Sequence, residues 1–277
     1  MSKNAAGILH LLSSLEVGVC ATRCTLCWRR EDNGRPARQN PVNPTALDFF
    51  RLYLSDDIVS HLVTETNRYA DQFIAANVIP PHSAVNEWKP TNADEMRAFL
   101  GLSLLTGLVY KVRLHMYSSG DAMHKTYIFG QSMARDRYLL LLRFLHFAHN
   151  DLIDTKDPDR DRLGKIRSII DIICDRCATV YSQARDLCVD ESSVLFKGCL
   201  AFKQFISTKR ARFGIKLFEL CTHSGFLLDF MVYHGKMSNK LLTVPDLNVQ
   251  ISEQILLTLR RPDELTSART YPVTATG

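Results

Sequence analysis

Apolar residues recur at intervals of three and four through most of the first 181 positions, then switch to alternation. Ile58, Leu62, Thr66, Tyr69 and Phe73 trace one face of a helix, with Ser55 placed to cap it. Pro80 and Pro81 end that segment. Thr91 and Asp94 resemble a capping box for a helix over 96–105, and Ser132 is placed to cap the strongly apolar stretch 138–147. The polar, acidic stretch 150–161 reads as a loop. Leu163, Ile166, Ile169, Ile170, Ile173, Cys174, Cys177, Val180 and Tyr181 then form one continuous helical stripe. Beyond Arg185 the segments 187–190, 194–196, 215–221 and 226–233 read as strands, punctuated by Gly198, Gly214, Gly225 and Gly235. The last strand is apolar on both faces, which predicts burial on both sides. Ser252 is placed to cap a short helix over 253–259 that Pro262 stops. At the other end, 29–44 holds few apolar side chains and is broken by Asn33-Gly34, Pro36, Pro41 and Pro44. The pattern predicts an α+β chain with a flexible tail over 1–43, a helical region over 44–185, a sheet-forming core over 186–260 and a divergent tail over 261–277.

Composition narrows the class without deciding it. The 277 residues suffice for two ordinary domains, and 46% hydrophobic with 23% charged residues are values of a soluble globular chain. No run approaches the roughly 18 uncharged apolar residues of a membrane span, and no signal-peptide pattern is evident. An intracellular protein with eight reduced cysteines is the expectation. The net charge of +5 is concentrated: over 195–240 eight cations, including Lys197, Lys203, Lys209, Arg210, Arg212 and Lys216, face only Glu219 and Asp229. That stretch nets +6, so the remainder nets −1. Such a concentration suits a phosphate-binding surface, and equally a solvated basic face.

Candidate chemistry is sparse. Cys20, Cys24 and Cys27 lack a well-spaced fourth zinc ligand and read as three thiols in a tail. Cys174 and Cys177 lie on an apolar helix face and read as packed core thiols. His146 and His149, near a helix end, read as structural. There is no Gly-rich phosphate loop, no G-x-S-x-G and no H-E-x-x-H. Asp190 closes an apolar strand, a position from which a carboxylate can be held rigidly toward Mg²⁺, although acids also close strands merely because the chain returns to solvent. Glu191, next along the strand, is expected to point to the opposite face.

A set of short landmarks adds a family resemblance. In order they are Thr66-Asn67, Trp88, Glu95, Phe99-Leu100-Gly101-Leu102, Met133 with Arg135-Asp136-Arg137-Tyr138, Leu145-His146-Phe147, Lys165-Ile166, Val189-Asp190-Glu191, Phe196-Lys197-Gly198, Gly214-Ile215-Lys216 and Tyr233-His234-Gly235-Lys236. In order and spacing they resemble the piggyBac transposases over about 44–259. The resemblance implies a helical dimerisation and DNA-binding region, then an RNase H-like core whose three aspartates hold two divalent metals, Mg²⁺ in the usual case, to cut and rejoin DNA ends. Asp190 matches the first aspartate. Asp263 and Glu264 come too soon after the 253–259 helix, and without an apolar strand, to match the second, and the third would lie beyond Gly277. Ser118 stands where the family usually has Trp, and Cys199 where it usually has Arg. The resemblance therefore implies a nuclear, DNA-binding remnant, truncated within the catalytic core and inactive. Its partners would be DNA and a second copy or a full-length relative, through homo- or heterodimers. It also implies that the strand 187–190 lacks its acid-bearing neighbour and stands as an exposed edge inviting other chains, unless the β-prone tail around Tyr271 and Val273 covers it, with Pro272 limiting the pairing.

Overall fold

The computed structural model describes residues 45–121, 123–153, 161–180, 186–196, 198, 200–207, 212–222, 226–234, 259 and 269–272. The expected helix at 253–259 falls outside these except for Leu259, as do Cys20, Cys24, Cys27, Asp263 and Glu264. The described residues divide into two compact units: 54–153 with 164–169, and 45–53 with 161–163 and the chain from 170 onward.

The first unit is helical. Helices α2 (Asp56–Ala76), α3 (Ala93–Leu108), α4 (Tyr127–Ser132) and α5 (Arg135–Phe144) build it. α2 buries Ile58, Val59, Leu62, Thr66 and Ala70, so the expected stripe is the core face. The core gathers around Phe144, whose ring meets Trp88 at 4.8 Å, Phe73 at 5.6 Å and Tyr69 at 6.3 Å, all edge-on. Two expected caps move. Asn92, not Thr91, caps α3 by accepting from the Glu95 N–H at 2.9 Å, because the Thr91 hydroxyl is engaged with the Glu95 carboxylate at 2.7 Å. Ser132 is the last residue of α4, and a break at Met133–Ala134 precedes α5. His146 stacks on Tyr69 at 3.9 Å and bonds Asn150 at 2.9 Å, while His149 accepts from the Asp151 N–H; both are structural, as expected.

The second unit carries the sheet. β1 (Asp186–Leu195), β2 (Gln204–Phe205), β3 (Phe213–Thr222), β4 (Leu227–Val232) and β5 (Arg269–Pro272) form one mixed sheet, with β3 antiparallel to β1, β2 and β4, and β5 parallel to β1. The strands expected at 187–190 and 194–196 are one, because Ser192 and Ser193 stay in the ladder opposite Leu217 and Lys216. Two helices accompany the sheet. Helix α1 (Ala46–Tyr53), not anticipated from the sequence, starts at a reciprocal Thr45–Asp48 box. Helix α6 (Arg167–Val180) begins later than the stripe suggests, since Leu163 and Gly164 lie in a turn. Val180, Leu220, Phe226, Leu228 and Leu259 form a core cluster against which Leu52, Tyr53 and Val189 pack. Cys177 is buried, and the Cys174 thiol donates to the Phe230 carbonyl, so these are packed thiols, as expected. The α+β class is as expected.

The exposed edge is not. β5 pairs with β1 from Asp186 to Val189, so the strand expected to stand open has a neighbour on each side. The phase of the ladder explains why Pro272 does not prevent this. The Phe196 N–H donates to the Phe213 carbonyl, so even-numbered residues of β1 bond toward β3 and odd-numbered ones toward β5. Val189 therefore bonds toward Tyr271 rather than toward Pro272, its register partner. The missing proline N–H points outward, where no partner is needed.

Candidate functional site

β1 fixes the acidic end of the site. Asp190 is exposed and faces Glu219 across the β1–β3 ladder, and directly opposed residues share a face. The Asp190 Oδ1 accepts from the Glu191 N–H at 2.7 Å, and the Ser192 hydroxyl donates to Glu219. Cys188 and Cys221 oppose each other one row away on the same face. Burial, and then the Asp190 charge, push the Cys188 thiol up, toward its protonated form. Glu191 lies on the other face, as expected from strand alternation, and pairs with Lys216 Nζ at 2.7 Å. That ammonium also sits 4.6 Å from the Phe218 ring centre and 5.6 Å from that of Tyr233.

Cations and aromatics meet on the β2–β3 hairpin. Phe205 and Phe213 are register partners, their rings 4.8 Å apart and 58% and 51% exposed. The Ile206 N–H closes the hairpin on the Arg212 carbonyl at 2.8 Å. Lys203 Nζ lies 5.5 Å from the Phe213 ring centre and donates to the Gly198 carbonyl at 3.0 Å, and Arg212 is exposed. Lys197, Lys209 and Arg210 lie outside the described residues. Of the six candidate cations, then, the structure places Lys203 beside an open aromatic pair, leaves Arg212 exposed next in sequence to Phe213, and engages Lys216 in an ion pair.

The family profile described as Transposase IS4 matches residues 45–268. Human relatives agree: PiggyBac transposable element-derived protein 3 is 27% identical over 72% of this chain, protein 5 is 25% identical over 74%, and protein 2 is 26% identical over 79%. This chain is a piggyBac-type member of the transposase IS4 family. It spans 31% to 38% of the length of those relatives. A solved piggyBac transposase synaptic complex with hairpin DNA superposes with a TM-score of 0.59 at 24% identity, covering 78% of this chain and 43% of the other, a shared fold.

Transposases of this family generally use a divalent metal. The described residues of this piggyBac-type chain do not fit a two-metal site. Two cations about 3.5–4 Å apart need several carboxylates converging from different strands. Here Asp190 has Glu219 opposite it, and the strand on the other side of β1, paired as far as Val189, reads Arg269-Thr270-Tyr271-Pro272, without a carboxylate. Among the described residues no group of three or more His, Cys, Asp or Glu is placed to hold a metal ion. β5 also begins just after the family match ends at residue 268, so the strand beside β1 lies outside the matched segment.

In the helical unit, Glu95 is the organising acid. Arg137 donates to it twice, from Nε at 2.7 Å and from the terminal nitrogen at 2.6 Å, and its guanidinium lies 4.7 Å from the Trp88 ring centre. Arg137, offset by burial and helped by Thr91, holds the Glu95 carboxyl below the usual carboxylate range. A cavity of about 230 Å³ opens nearby, lined by Leu102, Leu114, Tyr117, Ser118, Phe129 and Tyr138 among others. Ser118 lies at its wall, with Leu108, Tyr110, Val112, Tyr127 and Ile128 exposed in the same stretch of chain. Among the described residues no helix is long and apolar enough to cross a membrane.

Proposed function

We propose that this 277-residue chain is a piggyBac transposase-derived, nuclear DNA-binding protein that does not itself cut or join DNA. The observation that carries the reading is the neighbour of β1: the strand on that side, paired from Asp186 to Val189, reads Arg, Thr, Tyr and Pro and carries no acid toward Asp190. An exposed Asp190 with only Glu219 opposite it among the described residues does not supply the converging carboxylates that two divalent cations need. DNA association draws support from the concentration of cations over 195–240 and from the hairpin DNA that the superposable synaptic complex holds. The test is incubation of the chain with DNA bearing family-type ends in Mg²⁺ or Mn²⁺. No cleavage or strand transfer is expected; metal-dependent cutting that disappears in Asp190→Asn overturns the reading.

A second reading, an interaction module that dimerises with itself or with an intact relative, is favoured by exposed Leu108, Tyr110 and Val112, which lie in sequence between the cavity-lining Thr106 and Leu114. Ser118 stands there in place of the bulky aromatic that the resemblance implies, leaving room for a partner's ring. Sedimentation of the chain alone and mixed with a full-length relative separates the readings: concentration-dependent association abolished by Tyr110→Asp supports the module.

A further inference from the structure

We infer that the Phe205–Phe213 pair is a stacking platform for unpaired DNA bases, which makes the β2–β3 hairpin selective for single-stranded or opened DNA over intact duplex. The inference rests on the DNA-binding reading and specifies the form of DNA.

Each ring is more than half exposed, although each belongs to a strand in register with a buried sheet. Both carry a large apolar surface that the fold leaves open. Solitary exposed apolar side chains are ordinary, but here two rings are contiguous and flanked by positive charge. Lys203 is tethered by the Gly198 carbonyl within reach of the Phe213 ring, and exposed Arg212 directly precedes Phe213. This is the combination single strands use: aromatic faces for bases, with cations alongside for phosphates. An aliphatic partner surface gains little from flanking cations, and an acidic peptide gains little from two bare rings. A polyanion with planar apolar groups satisfies both. In a duplex those planes are already stacked on one another, so the rings can receive only bases that are unpaired. The rings are tilted 47° to one another, and each stays more than half exposed. Lys216 takes no part, being held by Glu191 on the opposite face of β3.

The experiment measures binding of the full chain to a short labelled DNA strand and to the corresponding duplex at one salt concentration, with 2-aminopurine in the strand as a stacking reporter. The wild type is expected to prefer the single strand and to quench 2-aminopurine. Phe205→Ala and Phe213→Ala should each weaken single-strand binding about 5- to 150-fold, with duplex binding changed less than about twofold and quenching lost. Phe205→Leu and Phe213→Leu keep apolar bulk for the hairpin but remove the aromatic face, and should behave like the Ala variants; Trp at either position should restore binding. Retained single-strand affinity in the Leu variants, or equal loss for both DNA forms, overturns the platform while leaving DNA binding intact. Failure of the wild type to bind either form overturns the DNA-binding reading, and the platform with it.

Discussion

Arg137→Ala should be the most damaging single exchange on the surface of the helical unit. The guanidinium joins α5 to α3 by two charge-assisted bonds to Glu95 and covers the Trp88 ring. Hydrogen bonds to charged groups contribute about 1.5–3 kcal/mol each, and a cation over an aromatic ring about 0.5–1 kcal/mol. The pair is partly solvated, with side-chain exposures of 19% for Arg137 and 25% for Glu95, so these contributions do not simply sum. A loss of about 2–4 kcal/mol is expected, because removal leaves a half-buried carboxylate that keeps the Thr91 hydroxyl but loses its cation. With a urea slope near 2 kcal/mol/M, the midpoint should fall by about 1–2 M. The chain has two tryptophans, so a Trp28→Phe background leaves Trp88 fluorescence as a reporter set under Arg137 itself. Arg137→Lys, which keeps the charge but not the paired geometry, should lose about half as much.

The pH dependence supplies an independent check. The folded state depresses the Glu95 pKa, mainly through Arg137. A depressed carboxylate contributes fully above its unfolded pKa, about 4.3, and its contribution is lost as pH falls through the folded value. The gap between wild type and Arg137→Ala should therefore be widest near neutrality and narrow in acid. A loss under about 0.5 kcal/mol, or a gap that widens in acid, refutes the reasoning.

Asn92→Ala should cost about 1 kcal/mol in the same urea assay, since it removes the bond that caps α3. If about four phosphates are neutralised by the cations of the 197–216 stretch, the logarithm of the duplex DNA binding constant should fall with log salt at a slope of roughly −3.6, and replacing Lys209, Arg210 and Arg212 with Ala should flatten it; an unchanged slope places the DNA surface elsewhere. Removing residues 269–277 should speed amide exchange at Leu187 and Val189, which bond toward β5, by about tenfold or more, while Cys188 and Asp190, which bond toward β3, change little; equal rates with and without the tail contradict the pairing.

Where side-chain periodicity governs structure, the sequence was legible. The α2 stripe from Ile58 to Phe73 and the alternation from Ile215 to Cys221 each match an element, because burial of one face selects the period. Local chemistry misled at the caps. Thr91 and Ser132 are good cap residues by type, yet Thr91 is drawn to Glu95, which Arg137 orients from 42 positions on, and no local rule weighs that partner. The Phe205–Phe213 pair was missed because the intervening chain hides the adjacency of the two rings until the hairpin register is known. Its signal was present nonetheless: one Phe on either side of a cation-rich connection. Asp190 was read as closing a strand, but β1 runs on to Leu195, and the carboxylate that opposes it, Glu219, approaches only through long-range pairing.

The β1–β5 pairing also shows why completing a sheet and completing a catalytic site are separate problems. A central strand needs its outward donors and acceptors satisfied, and any backbone of suitable phase can do this. Arg269–Pro272 qualifies because its β-prone Thr270 and Tyr271 favour extension and Pro272 falls where no N–H is required. The ladder places no demand on side chains of that strand to be acidic. A two-metal site makes the opposite demand: it is indifferent to which backbone fills the lane but requires a carboxylate at its Asp190-facing end. The β5 residues meet the first requirement and fail the second. Introducing an acid at Tyr271 would not restore chemistry either, since its register partner is Cys188, short of Asp190 along the strand. A β1 paired on both sides from Leu187 to Val189 and the proposed lack of metal-dependent cutting are thus compatible in one chain, and the same four residues of β5 underlie both.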